Sequence, residues 1–326
     1  MEILWLDDSD VRKVLGMGEV MEAVEAAFHE HGLGNVQMPP KIYLYFPEYA
    51  GDLRAMPAYI PSLKAAGVKV VNVHPGNPNK ALPTVMAVVI LNDPTTGAPI
   101  ALLNGTYLTD MRTGAAGGIA ARYLAREDSV VVGIIGAGRQ ARTQLMALSE
   151  IMGIETVKVS SRTRESCNRF KQDMEKFICG DIVVTSVKDA CDSDILVTTT
   201  PARGPIVKDE WIEPGTHINA IGADAKGKEE LDPQLLKRSK IVVDDIAQAV
   251  HSGEVNVPIE KGIISKEDIY CQLGEIIAGL KSGREDDSEI TIFDSTGLAI
   301  QDIAVAHLAF SKAKFKGLGV KIPFSL

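Results

Sequence analysis

Two kinds of residue in this chain have types and spacing suited to chemistry. The first are lone polar groups in apolar or small-residue company. Lys69 sits in G-V-K-V-V (67–71) and, in an alternating strand, shares a face with Val71. A lysine held partly out of water has a lowered proton affinity and can exchange protons near neutral pH. Arg54, in G-D-L-R-A-M-P (51–57), and Arg112, in M-R-T-G (111–114), carry guanidinium groups that can fork a carboxylate bidentately. The second kind are glycines. Five of the six residues 130–135 are Val or Ile, and Gly136-Ala137-Gly138-Arg139-Gln140-Ala141 breaks that run. A strand, a G-x-G-x-x-A turn and a helix start form a dinucleotide-binding fingerprint. Gly136 permits the tight turn, Gly138 lets backbone approach a pyrophosphate, and Ala141 lets helix and strand pack closely. The N–H groups at the helix start, around Arg139 and Gln140, attract the anion.

The fingerprint needs a partner after the next strand. An Asp or Glu there would bond the ribose 2′-OH of NAD, whereas Arg accommodates the 2′-phosphate of NADP. The chain has Ser161, Arg162 and Thr163 at that place and no acid. Hydroxyls and a guanidinium can bind a phosphate dianion that a carboxylate would repel, so NADP(H) is preferred and NAD(H) remains possible. Polar or small residues also end two later strands: Thr199 and Thr200 in one, and Ala220, Ile221 and Gly222 in the other. Open α/β sheets place their ligands at such carboxyl ends. His74 and His251 have no metal-ligating partner at useful spacing, and no metal site is expected.

These groups need two different frameworks. Residues 8–34 read as helix, with Val20, Val24, Ala27 and Phe28 on one apolar face. Short extended pieces follow at 41–46, 52–58, 68–73, 84–91 and 99–103 without intervening helices, which predicts a mostly antiparallel sheet. Residues 109–125, rich in Gly and Ala, read as a closely packed helix. From residue 129 strands alternate with helices: strands at 130–135, 156–160, 182–185, 195–200, 217–222, 240–244 and 290–293, helices at 139–152 and 164–177. Near-continuous Val/Ile strands in this rhythm predict a doubly wound parallel sheet with right-handed crossovers. A last helix, 296–315, crosses back. The expected fold class is thus α/β: a Rossmann sheet plus a discontinuous α+β substrate-binding and dimerisation domain. The expected domains are 1–115 with 300–326 for substrate and dimerisation, and 116–299 for the dinucleotide.

Composition narrows the partners. The 326 residues carry a formal net charge of −9, which argues against nucleic acid. No apolar run reaches membrane-spanning length, and the acidic N-terminus lacks a signal peptide's positive region. Four cysteines without C-x-x-C spacing suggest a reducing cytoplasm.

The stretches G-D-L-R-A-M-P (51–57), V-K-V-V-N-V-H-P-G-N (68–77), M-R-T-G-A-A-G-G (111–118), I-G-A-G-R-Q (135–140), G-T-H-I-N-A-I-G-A-D (215–224) and F-D-S-T-G-L-A-I-Q-D (293–302) run through almost the whole chain. In residues and order the chain resembles the ornithine cyclodeaminase/μ-crystallin family, most closely its archaeal-type alanine dehydrogenases. The resemblance implies a homodimer built through the first domain, with each active site at the cleft between domains. It implies that Arg54 and Lys69 hold the substrate, the arginine gripping its carboxylate, and that Asp224 acts on the amine or on the attacking water. Arg112, with Thr113 beside it, lies where the family contacts cofactor phosphate or substrate carboxylate. Residues 293–297, including Ser295 and Gly297, close over the nicotinamide. Ser161 departs from the NAD-dependent members, which carry Asp there, and looks more like the NADPH-using ketimine reductases.

All activities of the family share hydride exchange between a nicotinamide and the α-carbon of an amino acid or imine. The favoured expectation is reversible deamination of L-alanine to pyruvate and ammonia. Alternatives are reduction of ketimines such as pyrroline-2-carboxylate, cyclisation of ornithine to proline, and non-catalytic small-ligand binding with NADP(H) retained. Met56, Tyr59, Val73 and His74 are expected to line the substrate pocket.

Overall fold

The alternating pattern around Lys69 folds into two long antiparallel strands, Gly51–Ile60 and Ala65–Val73, in this computed structural model, which describes residues 1–325. They are longer than periodicity predicts because each runs to a short 3-10 turn, Pro61–Leu63 joining one to the other. The chain divides into two compact units, Met1–Arg112 with Leu298–Leu326, and Thr113–Gly297. The division falls inside the helix Gly105–Leu124.

In the first unit a seven-stranded sheet has the order Val320–Pro323, Glu2–Leu6, Pro99–Asn104, Val85–Asn92, Ala65–Val73, Gly51–Ile60, Ile42–Phe46. Every neighbouring pair is antiparallel except Glu2–Leu6 with Pro99–Asn104. The Glu2–Leu6 strand was not expected, its five residues being too few to show a period. Residues 8–34 form two helices, Asp8–Val14 and Met17–Gly32, because Leu15 and Gly16 are extended between them. Met17, Val20, Met21, Val24, Ala27 and Phe28 are buried at helical spacing. The helix Ala299–Lys316 packs against Met17–Gly32 and lies on the strands Gly51–Ile60, Ala65–Val73 and Val85–Asn92.

The second unit contains the expected doubly wound sheet. Its eight strands are all parallel, in the order Ile269–Gln272, Lys240–Val243, Thr291–Asp294, His217–Ala220, Ile195–Thr198, Val131–Ile135, Thr156–Ser160, Asp181–Val184. The chain leaves Val131–Ile135 toward one edge and returns on its other side at Ile195–Thr198, so the topological switch point lies between these two strands. A small parallel pair, Arg203–Val207 with Glu229–Leu231, was also unexpected. Gly114 and Gly117 of the small-residue helix face Thr143 and Gln144 of the helix Arg139–Ser149 so closely that no Cβ would fit. No helix among the described residues is long and apolar enough to cross a membrane.

Candidate active site

The strand register brings the first-unit residues together. Arg54 lies opposite Val71 and Met56 opposite Lys69, so Arg54, Met56, Val71 and Lys69 share one face, and all are buried. Helix Ala299–Lys316 covers that face and places Asp302 there. Lys69, 1% exposed, puts Nζ 2.6 Å from Oδ2 of Asp302, which is fully buried. Asp302 Oδ1 accepts a 3.0 Å bond from Nε of Arg112, whose Nη1 donates to Gln301 Oε1 at 3.0 Å. One carboxylate thus serves two buried cations. Burial lowers the proton affinity of Lys69, Asp302 raises it, and Arg112 and Lys41 lower it again; the outcome is a pKa of about 7. Lys69 can therefore carry or release a proton at neutral pH.

Arg54 donates from Nε and Nη2 to the two oxygens of Asp52, at 2.9 and 3.1 Å, and its guanidinium stands 5.5 Å from the Tyr43 ring centre. The fork orients the planar guanidinium, the geometry a carboxylate ligand needs. The pocket residues divide: Met56 lies on the Lys69 face, whereas Tyr59, opposite Ala66, lies on the other face and pairs with Gln37. Val73 shares the parity of Lys69, and His74 stacks on Phe46.

In the second unit, Gly136 turns the chain at φ +100°, where a Cβ would lie 2.6 Å from Thr199 Oγ1. Thr199 is tied to this turn by its N–H on Ile135 O at 2.9 Å. A Cβ at Gly138 would meet nothing within 4 Å, so internal packing does not demand glycine there. No side chain caps the helix Arg139–Ser149 at Gly138, and the first helical residue, Arg139, is exposed, with Gln140 half-buried behind it. Uncapped N–H groups beside a glycine turn fit an anion such as a pyrophosphate. Sequence reasoning missed Arg142, which donates to the carbonyls of Ala137 and Gly138 and to Asp173, bracing the loop.

After the strand Thr156–Ser160 come Ser161, half-buried, and Arg162, exposed. Thr163 has a structural task as N-cap of the helix Arg164–Met174, accepting from the N–H of Ser166. Ala220 ends its strand fully buried, followed by buried Ile221 and by Gly222, where a Cβ would lie 2.2 Å from Thr200 O. Asp224 is half-exposed and paired with Lys228, another residue sequence reasoning did not single out. The segment at Ser295 and Gly297 is held by Asp244, which accepts from the N–H groups of Thr296 and Gly297 at 2.7 and 2.6 Å. Ser295 is buried and its hydroxyl has no hydrogen-bond partner among the described residues. Thr113, buried, accepts from Gln144 Nε2 through its carbonyl. The glycine turn, the uncapped helix start and the unsatisfied serine hydroxyl form a donor set that fits a dinucleotide.

The ornithine cyclodeaminase/mu-crystallin family model matches residues 2–317. An alanine dehydrogenase of Archaeoglobus fulgidus is 53% identical over 99% of each chain. Among solved structures, an archaeal alanine dehydrogenase dimer with bound NAD is 54% identical, covers all of both chains and superposes with a TM-score of 0.97. The Delta(1)-pyrroline-2-carboxylate reductase of Thermococcus litoralis, in complex with NADH and L-proline, is 43% identical over 98% of this chain and all of its own, with a TM-score of 0.96. Matched along nearly its whole length by both sequence and fold, the chain belongs to the ornithine cyclodeaminase/mu-crystallin family.

Proposed function

We propose that this protein moves a hydride between a nicotinamide dinucleotide and the α-carbon of a small L-amino acid or its imine, with reversible deamination of L-alanine to pyruvate and ammonia as its main activity. The observation that carries the reading is Lys69, wholly buried, 2.6 Å from Asp302, with a pKa of about 7 on the same strand face as Arg54. The 53% identity to an alanine dehydrogenase supports the choice of substrate. A dinucleotide bound at Gly136, Gly138, Arg139, Thr199, Gly222 and Ser295 would supply the hydride acceptor or donor.

The chain's own residues do the rest. Arg54 orients the α-carboxylate, so that the α-hydrogen is presented in one direction. Neutral Lys69 takes a proton from the substrate's ammonium group, leaving the nitrogen lone pair to assist loss of hydride. Asp224 accepts a proton from the water that adds to the imine carbon. Protonated Lys69 then returns its proton to the carbinolamine nitrogen, and ammonia departs as the carbonyl forms, taking up the proton that the hydroxyl loses; half-exposed Asp224 passes the water's proton on to solvent. Arg112, held by Asp302 and Gln301, keeps positive charge beside Lys69 and so favours its neutral form.

Reduction of pyrroline-2-carboxylate is the second reading, favoured by Ser161 and Arg162, which also support NADP(H) over NAD(H). A homodimer is inferred from the dimeric relative. The test is turnover of purified protein with NADH and with NADPH against pyruvate plus ammonia and against pyrroline-2-carboxylate, and with NAD+ against ornithine. Reduction of pyruvate plus ammonia supports the main reading. Turnover of the cyclic imine alone replaces it with the second.

A further inference from the structure

We infer that Glu230 is a positioning residue for the dinucleotide: its buried carboxylate ties the carboxyl ends of two adjacent parallel strands and so sets Thr199, Thr200 and Gly222. The inference rests on the dinucleotide reading above. Glu230 is fully buried. Its Oε1 accepts the N–H of Thr200 at 2.6 Å, and its Oε2 accepts the Thr198 hydroxyl at 2.8 Å and the N–H of Gly222 at 2.9 Å. Thr198 ends the strand Ile195–Thr198, which flanks the switch point, and Gly222 lies two residues beyond its neighbour His217–Ala220. One side chain therefore fixes the spacing of two loops at the edge where such sheets take their ligands.

Glu230 is itself immobilised. It lies in the strand Glu229–Leu231, which pairs with Arg203–Val207, and the N–H groups of Glu230 and Leu231 donate to Oε1 of Glu254 at 2.8 and 2.7 Å. A Cβ at Gly222 would lie 2.4 Å from Glu230 Oε2, so the carboxylate and the glycine are matched. Among the described residues, no cation is a partner of this carboxylate. Burial raises the proton affinity of both glutamates, and the charge of Glu230 raises that of Glu254 further. Buried acids without cations are poor stabilisers, and apolar residues would serve packing better. What apolar residues cannot do is accept three donors from two loops at once.

The test measures the dissociation constants of NADH and NADPH by their fluorescence, together with kcat and substrate KM at saturating cofactor. Glu230→Gln keeps the shape but has one acceptor oxygen in place of two. It should weaken cofactor binding roughly 10- to 100-fold, the range for hydrogen bonds to a charged group. Its kcat at saturation and substrate KM should stay within about threefold, a split that general destabilisation does not produce. Thr198→Val removes one donor at nearly constant volume and should weaken cofactor binding by less, about three- to tenfold; it decides the matter alone if Glu230→Gln does not fold. Unchanged dissociation constants, or cofactor and substrate constants moving together, overturn the inference. A wild-type protein that binds neither NADH nor NADPH overturns the dinucleotide reading, and this inference with it.

Discussion

In the first unit two buried cations, Lys69 and Arg112, share the single carboxylate of Asp302. In the second, two buried carboxylates, Glu230 and Glu254, take their donors from backbone N–H groups and a threonine hydroxyl. The difference separates two uses of buried charge. Where cations outnumber the anion, one of them is easily neutralised, and Lys69 with its pKa of about 7 is that one. Where carboxylates are held by backbone, their bonds can change only if strands move, so their contribution is placement. In the proposed reading the first arrangement exchanges a proton and the second holds still.

The contrast is broken most directly at Lys69. Lys69→Ala should lower kcat by about 10²- to 10⁴-fold, the usual contribution of a general acid–base. Cofactor affinity should stay near wild type, and comparison of kcat with the NADH dissociation constant checks both halves. Retained turnover would mean that the proton moves by another route. A pH effect accompanies this. The folded protein holds Lys69 at about 7 and the unfolded chain at the ordinary 10.5, so between these values the unfolded state binds more protons. This residue therefore makes stability rise with pH across that window, and its cost is full below pH 7. Denaturant titrations of wild type minus Lys69→Met, from pH 6 to pH 9.5, should show the wild type gaining. A flat difference would mean that the lysine stays charged.

Asp302→Asn sharpens the same point. It leaves two buried cations facing each other without their counter-ion, and removing one partner of a buried pair costs about 3–5 kcal/mol. It also withdraws the charge that raises the proton affinity of Lys69, whose pKa must then fall below about 7. In the proposed mechanism deamination needs neutral Lys69, so the rising limb of the pH–rate profile should move toward lower pH. A limb that stays in place would assign the titration to another group.

Much of this was legible in the sequence, for local reasons. Lys69 and Arg54 stand out because alternation makes a lone charge on a buried face visible, and the glycine turn because its spacing is short-range. Tyr59, expected in the pocket beside Met56, lies instead on the other face of the strand, because its odd position opposes the parity of Arg54 and Met56. Asp302 could be quoted within a motif but not paired with Lys69, because helix packing alone brings the two together. Glu230 was hidden for a different reason: K-G-K-E-E-L-D (226–232) has the composition of a solvated turn, and only the short pairing of Glu229–Leu231 with Arg203–Val207 draws it inside. Short elements such as these and Ile269–Gln272 lack enough residues to display a period.

In the second unit, Gly136→Ala tests whether backbone placement governs the cofactor. The new Cβ would lie 2.6 Å from Thr199 Oγ1 at a φ of +100°, which L residues avoid by about 1–2 kcal/mol. Cofactor binding should weaken about tenfold or more, while Lys69 keeps its titration, because no first-unit contact changes. An unchanged dissociation constant would remove the turn from the binding site.

The smallest effect concerns which cofactor is chosen. If Ser161 and Arg162 meet a 2′-phosphate, Ser161→Asp places a carboxylate against a dianion and should weaken NADPH about tenfold relative to NADH. Arg162→Ala should weaken NADPH by less, because an exposed guanidinium contributes roughly 1 kcal/mol or under. Both should leave turnover at saturating NADH near wild type, since neither residue belongs to the buried cluster around Lys69. An NADH preference already present in the wild type would turn the argument round. Ser161 would then accept the ribose hydroxyl in place of an acid, and Ser161→Asp would tighten NADH instead of discriminating against NADPH.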